Sequence, residues 1–167
     1  MGRILAHFVR VSSRGRPVRG ASASRESEPM ATKIDPSLRI LIVDDEQVAR
    51  AYLRFLLRGL GINDVTAADS GKAAMRLLMD ASRPFPDLII TDLRMDDMDG
   101  LQFCNAIRRS EMLSNVGVPI IMLTAVEDSL LHEVPQQVGA LYVAKKPITA
   151  GSLKGLILDH VGLPAEP

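Results

Sequence analysis

The chain has little of what several functional classes require. A single cysteine, Cys104, allows no internal disulfide. No apolar stretch reaches the roughly 18 residues needed to cross a bilayer. The three histidines, His7, His132 and His160, show no metal-ligand spacing, and none is read as catalytic. Net charge is lacking too, because 20 basic and 20 acidic side chains cancel over 167 residues. The balance is uneven: residues 1 to 36 hold seven basic and three acidic side chains, leaving thirteen basic against seventeen acidic in the rest. A mildly acidic globular part speaks against direct contact with nucleic acid. With no spanning segment, the expectation is a soluble, cytoplasmic protein without membrane contact. At 47% apolar residues, the length suits one domain with a single core.

The first 36 residues scatter Arg3, Arg10, Arg14, Arg16, Arg19 and Arg25 among Ser, Gly and Pro, with apolar weight only over 4–11. Such a stretch cannot make a core. It reads as a disordered basic extension, as an Arg-rich transit-like leader, or as an upstream start with translation beginning at Met30, the last being preferred. The folded domain is expected over 37–163, with a short tail over 164–167. That leaves no room for a DNA-binding or enzymatic output domain, so output is expected to pass through protein contacts.

What is present is an alternation of strands and helices. The run Arg-Ile-Leu-Ile-Val-Asp-Asp-Glu from Arg39 ends on the pair Asp44 and Asp45, and Asp-Leu-Ile-Ile-Thr-Asp-Leu-Arg from Asp87 ends on Asp92. Further strands are expected over 64–68, over 120–124 after Gly117 and Pro119, and over 142–144. The 120–124 run is apolar throughout and so expected to be central. Val48, Tyr52, Phe55 and Leu56 recur at helical spacing until Gly59 and Gly61 stop the segment. A second helix over 71–80 follows the cap Asp69-Ser70, with Ala74, Leu77 and Leu78 on one face. A third over 100–109 buries Leu101, Cys104 and Ile107. A fourth near 128–138 is kinked or shortened by Pro135. A fifth over 149–161 buries Leu153, Leu156, Ile157 and Val161, although Gly151 and Gly155 each cost about 1 kcal/mol relative to Ala. Five βα units predict a doubly wound α/β fold, a parallel five-stranded sheet with five helices, whose strand ends share one rim.

That rim gathers Asp44, Asp45, Asp92, Thr124 and Lys146. Three close carboxylates repel one another, and a hard cation such as Mg²⁺ relieves this by taking oxygen ligands from them while leaving positions open for phosphate. Thr124 and Lys146 supply a hydroxyl donor and a compact cation for the oxygens of a transferring phosphoryl group, with Asp92 as the attacking carboxylate. Taken singly each residue has a blander reading. An acid at a strand end is more often a helix cap, a lone Thr there is usually structural, and Lys-Pro is usually a turn. Their order on separate strand ends is much harder to explain by capping.

The motifs Ile-Leu-Ile-Val-Asp-Asp-Glu (40–46), Pro-Asp-Leu-Ile-Ile-Thr-Asp (86–92), Met-Asp-Gly-Leu (98–101), Pro-Ile-Ile-Met-Leu-Thr-Ala (119–125), Gly139-Ala140 and Lys146-Pro147 are together highly specific. Over residues 38 to 161 the chain resembles the receiver domain of two-component response regulators. The resemblance implies a flavodoxin-like fold with strand order 2-1-3-4-5. It makes Asp92 the acceptor of a phosphoryl group from the phosphohistidine of a sensor histidine kinase or histidine phosphotransfer protein. Asp44 and Asp45, with Asp92 and the carbonyl of Arg94, would hold Mg²⁺, while Thr124, Lys146 and the amides of Arg94 and Ala125 grip the phosphoryl group. The Lys146-Pro147 peptide is expected to be cis. The protein would be a switch that promotes only its own phosphorylation and dephosphorylation, with a downstream protein target. A second copy of the chain, met through the last two helices, is a further candidate partner.

Some residues depart from that pattern. Asp96 stands where receivers usually carry proline, which suggests a more acidic and looser loop. The aromatic three residues before the lysine is here Val143. Tyr142, one step earlier, would serve as a rotating switch only if the strand bulged, and is otherwise a packed tyrosine. Arg94 and Val126, two past Asp92 and Thr124, are expected to slow loss of the phosphate. Arg50, Arg54 and Arg58 form a row on the first helix, read first as a solvated face and second as a means of steering an acidic partner. The rival functional class is a haloacid-dehalogenase-like phosphatase. It also uses an aspartyl nucleophile, but on the first strand and with a second Asp two positions later, where this chain has Arg94.

Overall fold

The computed structural model describes residues 33–125 and 142–161. The expectations for residues 1–32, the helix near 128–138 with Pro135, the Gly139-Ala140 pair, Val126, His7, His132 and the 164–167 tail lie outside the described residues. Within them run β1 (Arg39–Val43), α1 (Gln47–Gly59), β2 (Asp64–Ala68), α2 (Gly71–Met79), β3 (Leu88–Asp92), α3 (Gly100–Arg108), β4 (Ile120–Thr124), β5 (Tyr142–Lys145) and α4 (Ala150–Val161). The five strands form one parallel sheet in the order β2-β1-β3-β4-β5. Among the described residues, no helix is long and apolar enough to cross a membrane.

Alternation along the strands sorts the core into two layers. Leu41, Val43, Ile89, Ile120 and Met122 pack on one face with Phe103 and Ile107 of α3 and Ala74 and Leu78 of α2. Ile40, Ile42, Leu88, Ile90, Ile121 and Leu123 pack on the other with Leu53, Leu56 and Leu57 of α1 and Leu153, Leu156 and Ile157 of α4. Because both faces are covered, β3 and β4 are buried at every position, and that is why each reads as an apolar run up to its polar end. Cys104 is buried in the first layer, where burial pushes its thiol up to about 12, as suits a core residue rather than a reactive thiol.

Helix faces differ from expectation in two places. On α1, three of the four residues that signalled the helix, Val48, Tyr52 and Phe55, are 81%, 42% and 73% exposed, and only the fourth, Leu56, is buried. The buried stripe is instead Leu53, Leu56 and Leu57, because two apolar faces share one helix and only one meets the sheet. On α3, Phe103 is fully buried while Leu101 is only partly so. The cap ahead of α2 is as expected, with the Ser70 hydroxyl accepting from the Ala73 amide at 3.2 Å.

At the rim where the strands begin, Arg39 and Asp87 lock β1 to β3. The guanidinium donates to both carboxylate oxygens, at 2.7 and 3.0 Å, and the Arg39 amide donates to the same carboxylate at 2.9 Å. The Asp87 amide returns a bond to the Arg39 carbonyl at 2.8 Å. Chiefly through the Arg39 side chain, this holds the Asp87 carboxyl below the usual carboxylate range, against some desolvation. A group depressed in the fold stabilises it above its unfolded pKa and loses that contribution as pH falls through the folded value. Asp87→Asn is therefore expected to cost about 1 kcal/mol near neutral pH. In urea unfolding the gap from the parent should close as pH falls below the ordinary carboxylate range, and a gap constant down to strong acid would refute the ion-pair origin.

Candidate functional site

At the opposite rim, where the parallel strands end, the sheet leaves its acids. Asp44 follows β1 and is fully buried, Asp92 closes β3 at 8% exposure, and Thr124 closes β4 at 1%. Asp45 is exposed at the bend before α1. One carboxylate oxygen from each of Asp44, Asp45 and Asp92 lies within 4.8 Å of the others. Lys146, just past β5, reaches over β4 and places its ammonium 2.9 Å from Asp44 Oδ2 and 2.9 Å from Asp92 Oδ1. The Lys146 amide donates to the Thr124 carbonyl at 2.7 Å, which fixes the start of that reach. The Lys146-Pro147 peptide is cis, as expected.

The electrostatics follow from burial. Burial raises the Asp92 carboxyl above its usual range, against the pull of the Lys146 hydrogen bond. Burial also lowers Lys146, but its bonds to Asp44 and Asp92 outweigh that and leave it raised. Asp44 is satisfied on both oxygens: Oδ2 accepts from Lys146 and Oδ1 from the Glu46 amide at 2.9 Å. No buried side-chain nitrogen or oxygen among the described residues lacks a hydrogen-bond partner. The capping explanation for the acid pair finds no support at α1, whose N-cap is Glu46 with no side-chain cap bond.

The loop after β3 is tied down rather than loose. Leu93 and Met95 bury into the core beneath it. Asp99 and Gln102 close a capping box over the start of α3, and Lys72 pairs with Asp97 at 3.3 Å. The Asp96 amide donates to Asp45 Oδ2 at 3.3 Å, a bond that a proline at this position would lack. Gly71 and Gly100 permit the close packing: a Cβ on Gly71 would lie 2.8 Å from Met98 Sδ, and one on Gly100 would collide with the Asp92 carbonyl oxygen.

The structure therefore brings together Asp44, Asp45, Asp92, Thr124 and Lys146, with Ala125 exposed beside them on the strand end and Arg94 exposed on the loop. Thr124 Oγ1 donates to the Ala125 carbonyl at 3.1 Å. Sequence reasoning missed the Asp96 amide, the collision at Gly100 and the engagement of Arg50 with the loop before α1. Only Gly100 had a legible signal, as a glycine directly after a helix-capping Asp. β5 pairs with β4 in unbroken register, with no bulge, and the exposed Tyr142 ring lies 5.1 Å from that of His160. The condition for a switch is therefore not met, and the tyrosine packs at the surface against His160.

Residues 40–158 match the family model described as the response regulator receiver domain. Chemotaxis protein CheY-3 of Vibrio cholerae is 32% identical over 125 residues, which cover 75% of this chain and 92% of that protein. Among solved structures, a response regulator receiver protein from Pseudomonas putida aligns with 75% of this chain and 99% of its own at 30% identity and a TM-score of 0.64. The receiver domain of sensor histidine kinase PA1611 from Pseudomonas aeruginosa, solved with a magnesium ion coordinated in its active-site cleft, aligns with 75% of this chain and 98% of its own. Its identity is also 30% and its TM-score 0.64.

The contact at Gly100 yields a test of the site's packing. Gly100→Ala must displace the backbone at Asp92, so urea unfolding should show a loss of about 1–3 kcal/mol. A variant as stable as the parent would show that the Asp92 carbonyl yields freely.

Proposed function

Because this chain belongs to the response regulator receiver domain family, we propose that it is a phosphorylatable switch whose Asp92 takes a phosphoryl group from a sensor histidine kinase or a histidine phosphotransfer protein. The phosphorylated chain signals by contact with a further protein or passes the group along a phosphorelay. The receiver domain is placed over 37–163. The observation that carries this reading is the single ammonium of Lys146, 2.9 Å from Asp44 and from Asp92 within a cluster of three carboxylates.

The residues fit a divalent cation. The donors are all hard carboxylate oxygens, which Mg²⁺ prefers, and one from each residue lies within 4.8 Å of the others. Asp44, Asp45 and Asp92, with the Arg94 carbonyl, would hold Mg²⁺, and the solved kinase receiver with magnesium in its cleft supports this assignment. Bound there, the ion would offset the charge of the acids and of an incoming phosphate.

A carboxylate oxygen of Asp92 forms the new O–P bond as the N–P bond of the phosphohistidine breaks, and the electron pair of that bond stays on the imidazole nitrogen. Asp92 needs no base, because it reacts as the carboxylate. Lys146, the Thr124 hydroxyl and the amides of Arg94 and Ala125 hold the oxygens of the phosphoryl group in flight. Arg94 covers the acyl phosphate and limits water. The phosphatase alternative is not taken up: Arg94 stands where its second acid belongs, and Asp92 lies on the third strand.

The donor's docking surface is assigned to α1. Val48, Tyr52 and Phe55 form an exposed apolar stripe there. Val48 and Tyr52 line a cleft of about 490 Å³, with Pro147 and Ile148, that also takes in Asp44 and Lys146. The Tyr52 hydroxyl donates to the Ile148 carbonyl at 2.9 Å and joins the two walls. An apolar helix bearing the phosphohistidine fits this surface.

Two experiments test the proposal. Incubated with acetyl phosphate and Mg²⁺, the parent is expected to gain one phosphoryl group by intact mass while Asp92→Asn gains none; equal labelling of the two would remove Asp92 as acceptor. Phe55→Ala is expected to slow transfer from a phosphorylated histidine protein about tenfold while leaving labelling by acetyl phosphate unchanged. Equal slowing of both donors would place the defect in the site and not in docking.

A further inference from the structure

We propose that Arg50 is a positioning residue for the acid pair, its guanidinium holding the backbone carbonyls of Asp44 and Asp45 so that both carboxylates enter one pocket. The inference rests on reading Asp44 and Asp45 as cation ligands and adds the device that aims them. Successive side chains of an extended strand point to opposite faces. Two adjacent aspartates can serve one cation only if the backbone leaves the strand between them and is held there.

The structure shows that departure and what holds it. The Asp44 amide still bonds to the neighbouring strand, at the Ala68 carbonyl, whereas Asp45 lies in a bend. A helix N-cap would ordinarily fix such a bend, but Glu46 makes no side-chain cap bond and the first turn of α1 carries no acid. Instead, Nη1 of Arg50 donates to the Asp44 carbonyl at 2.7 Å and to the Asp45 carbonyl at 3.0 Å. With both carbonyls turned toward Arg50, the Asp44 side chain is left to accept from the Glu46 amide and Lys146, and Asp45 Oδ2 lies within reach of the Asp96 amide.

The chemistry suits arginine. A planar, permanently charged guanidinium holds two carbonyls in a fixed geometry that a flexible, strongly hydrated ammonium reproduces poorly. Its charge lies at the peptide carbonyls and offsets carboxylate repulsion without using an oxygen that a cation needs. Arg50 is half-buried, whereas Arg54 and Arg58 of the same row are exposed. The row is therefore not uniform, and its first member belongs to the site.

The test compares full-length parent, Arg50→Gln, Arg50→Lys and Arg54→Gln, reading Mg²⁺ affinity by calorimetry, Mg²⁺-dependent labelling by acetyl phosphate, and exchange of the Glu46 amide by NMR without metal. Arg50→Gln is expected to weaken Mg²⁺ binding roughly tenfold, in the range found when groups that orient metal ligands are removed. It should also speed exchange at Glu46 and move the labelling defect into the Mg²⁺ requirement, with the maximal rate recovered at high Mg²⁺. Arg50→Lys should restore part of the affinity, and Arg54→Gln should match the parent. A lower maximal rate with unchanged Mg²⁺ dependence, or Arg50→Gln binding Mg²⁺ within twofold of a parent that does bind it, overturns the role of Arg50 and leaves the proposed function standing. A parent that binds no Mg²⁺ overturns both.

Discussion

The ammonium of Lys146, shared between Asp44 and Asp92 at 2.9 Å each, is the contact on which the site depends. It joins elements that the sheet keeps apart, because β5 is an edge strand and reaches β1 only across β4 and β3. Asp44 is fully buried, and a buried carboxylate is tolerable only when paired and hydrogen-bonded. Removing the lysine would leave Asp44 with one uncompensated oxygen and Asp92 with its burial unopposed. Asp45 is not bonded to that ammonium, so the acids carry more negative charge than Lys146 meets. The arrangement is held together while its affinity for positive charge is retained.

The two rims of the sheet treat charge in opposite ways. Where the strands begin, Arg39 and Asp87 satisfy each other through side chain and backbone and set the alignment of β1 with β3. Where the strands end, acids outnumber the cation that meets them. A rim whose charges match stabilises the layers, and one with more acids than the ammonium bonded to them attracts ligands. The division follows from a parallel sheet, whose strand ends all emerge on one side. The loop after β3 at the second rim is also closely packed: Leu93 and Met95 are buried under it, and Gly100 lets α3 start against the Asp92 backbone.

Much of this was legible in the sequence because it rests on local signals. The strands are short apolar runs between breakers, and those over 64–68 and 120–124 have the boundaries expected of them. Asp44, Asp45, Asp92, Thr124 and Lys146 were legible because strand ends are easy to place once the strands are. The face of α1 was not. Periodicity locates an apolar stripe without saying what covers it, and α1 has two. The arginine row was misleading for the same reason, since equal spacing says nothing of which member bends back toward a backbone carbonyl. The Asp96 amide was invisible to any reading of side chains, because the donor is a backbone group that matters for not being proline's.

The same geometry brings the exposed apolar stripe of α1 and the acids to one corner of the sheet. α1 begins just past the bend that carries Asp45, so the helix that buries Leu53, Leu56 and Leu57 against the sheet also projects Val48 and Tyr52 into the cleft that takes in Asp44 and Lys146. Arg50 is rooted on the same helix and bonded to the bend. A partner that pressed on α1 would load the peptide carbonyls Arg50 holds, and through them the two carboxylates. Coupling of this kind needs no long path, because one side chain and two peptide groups connect α1 to the acids.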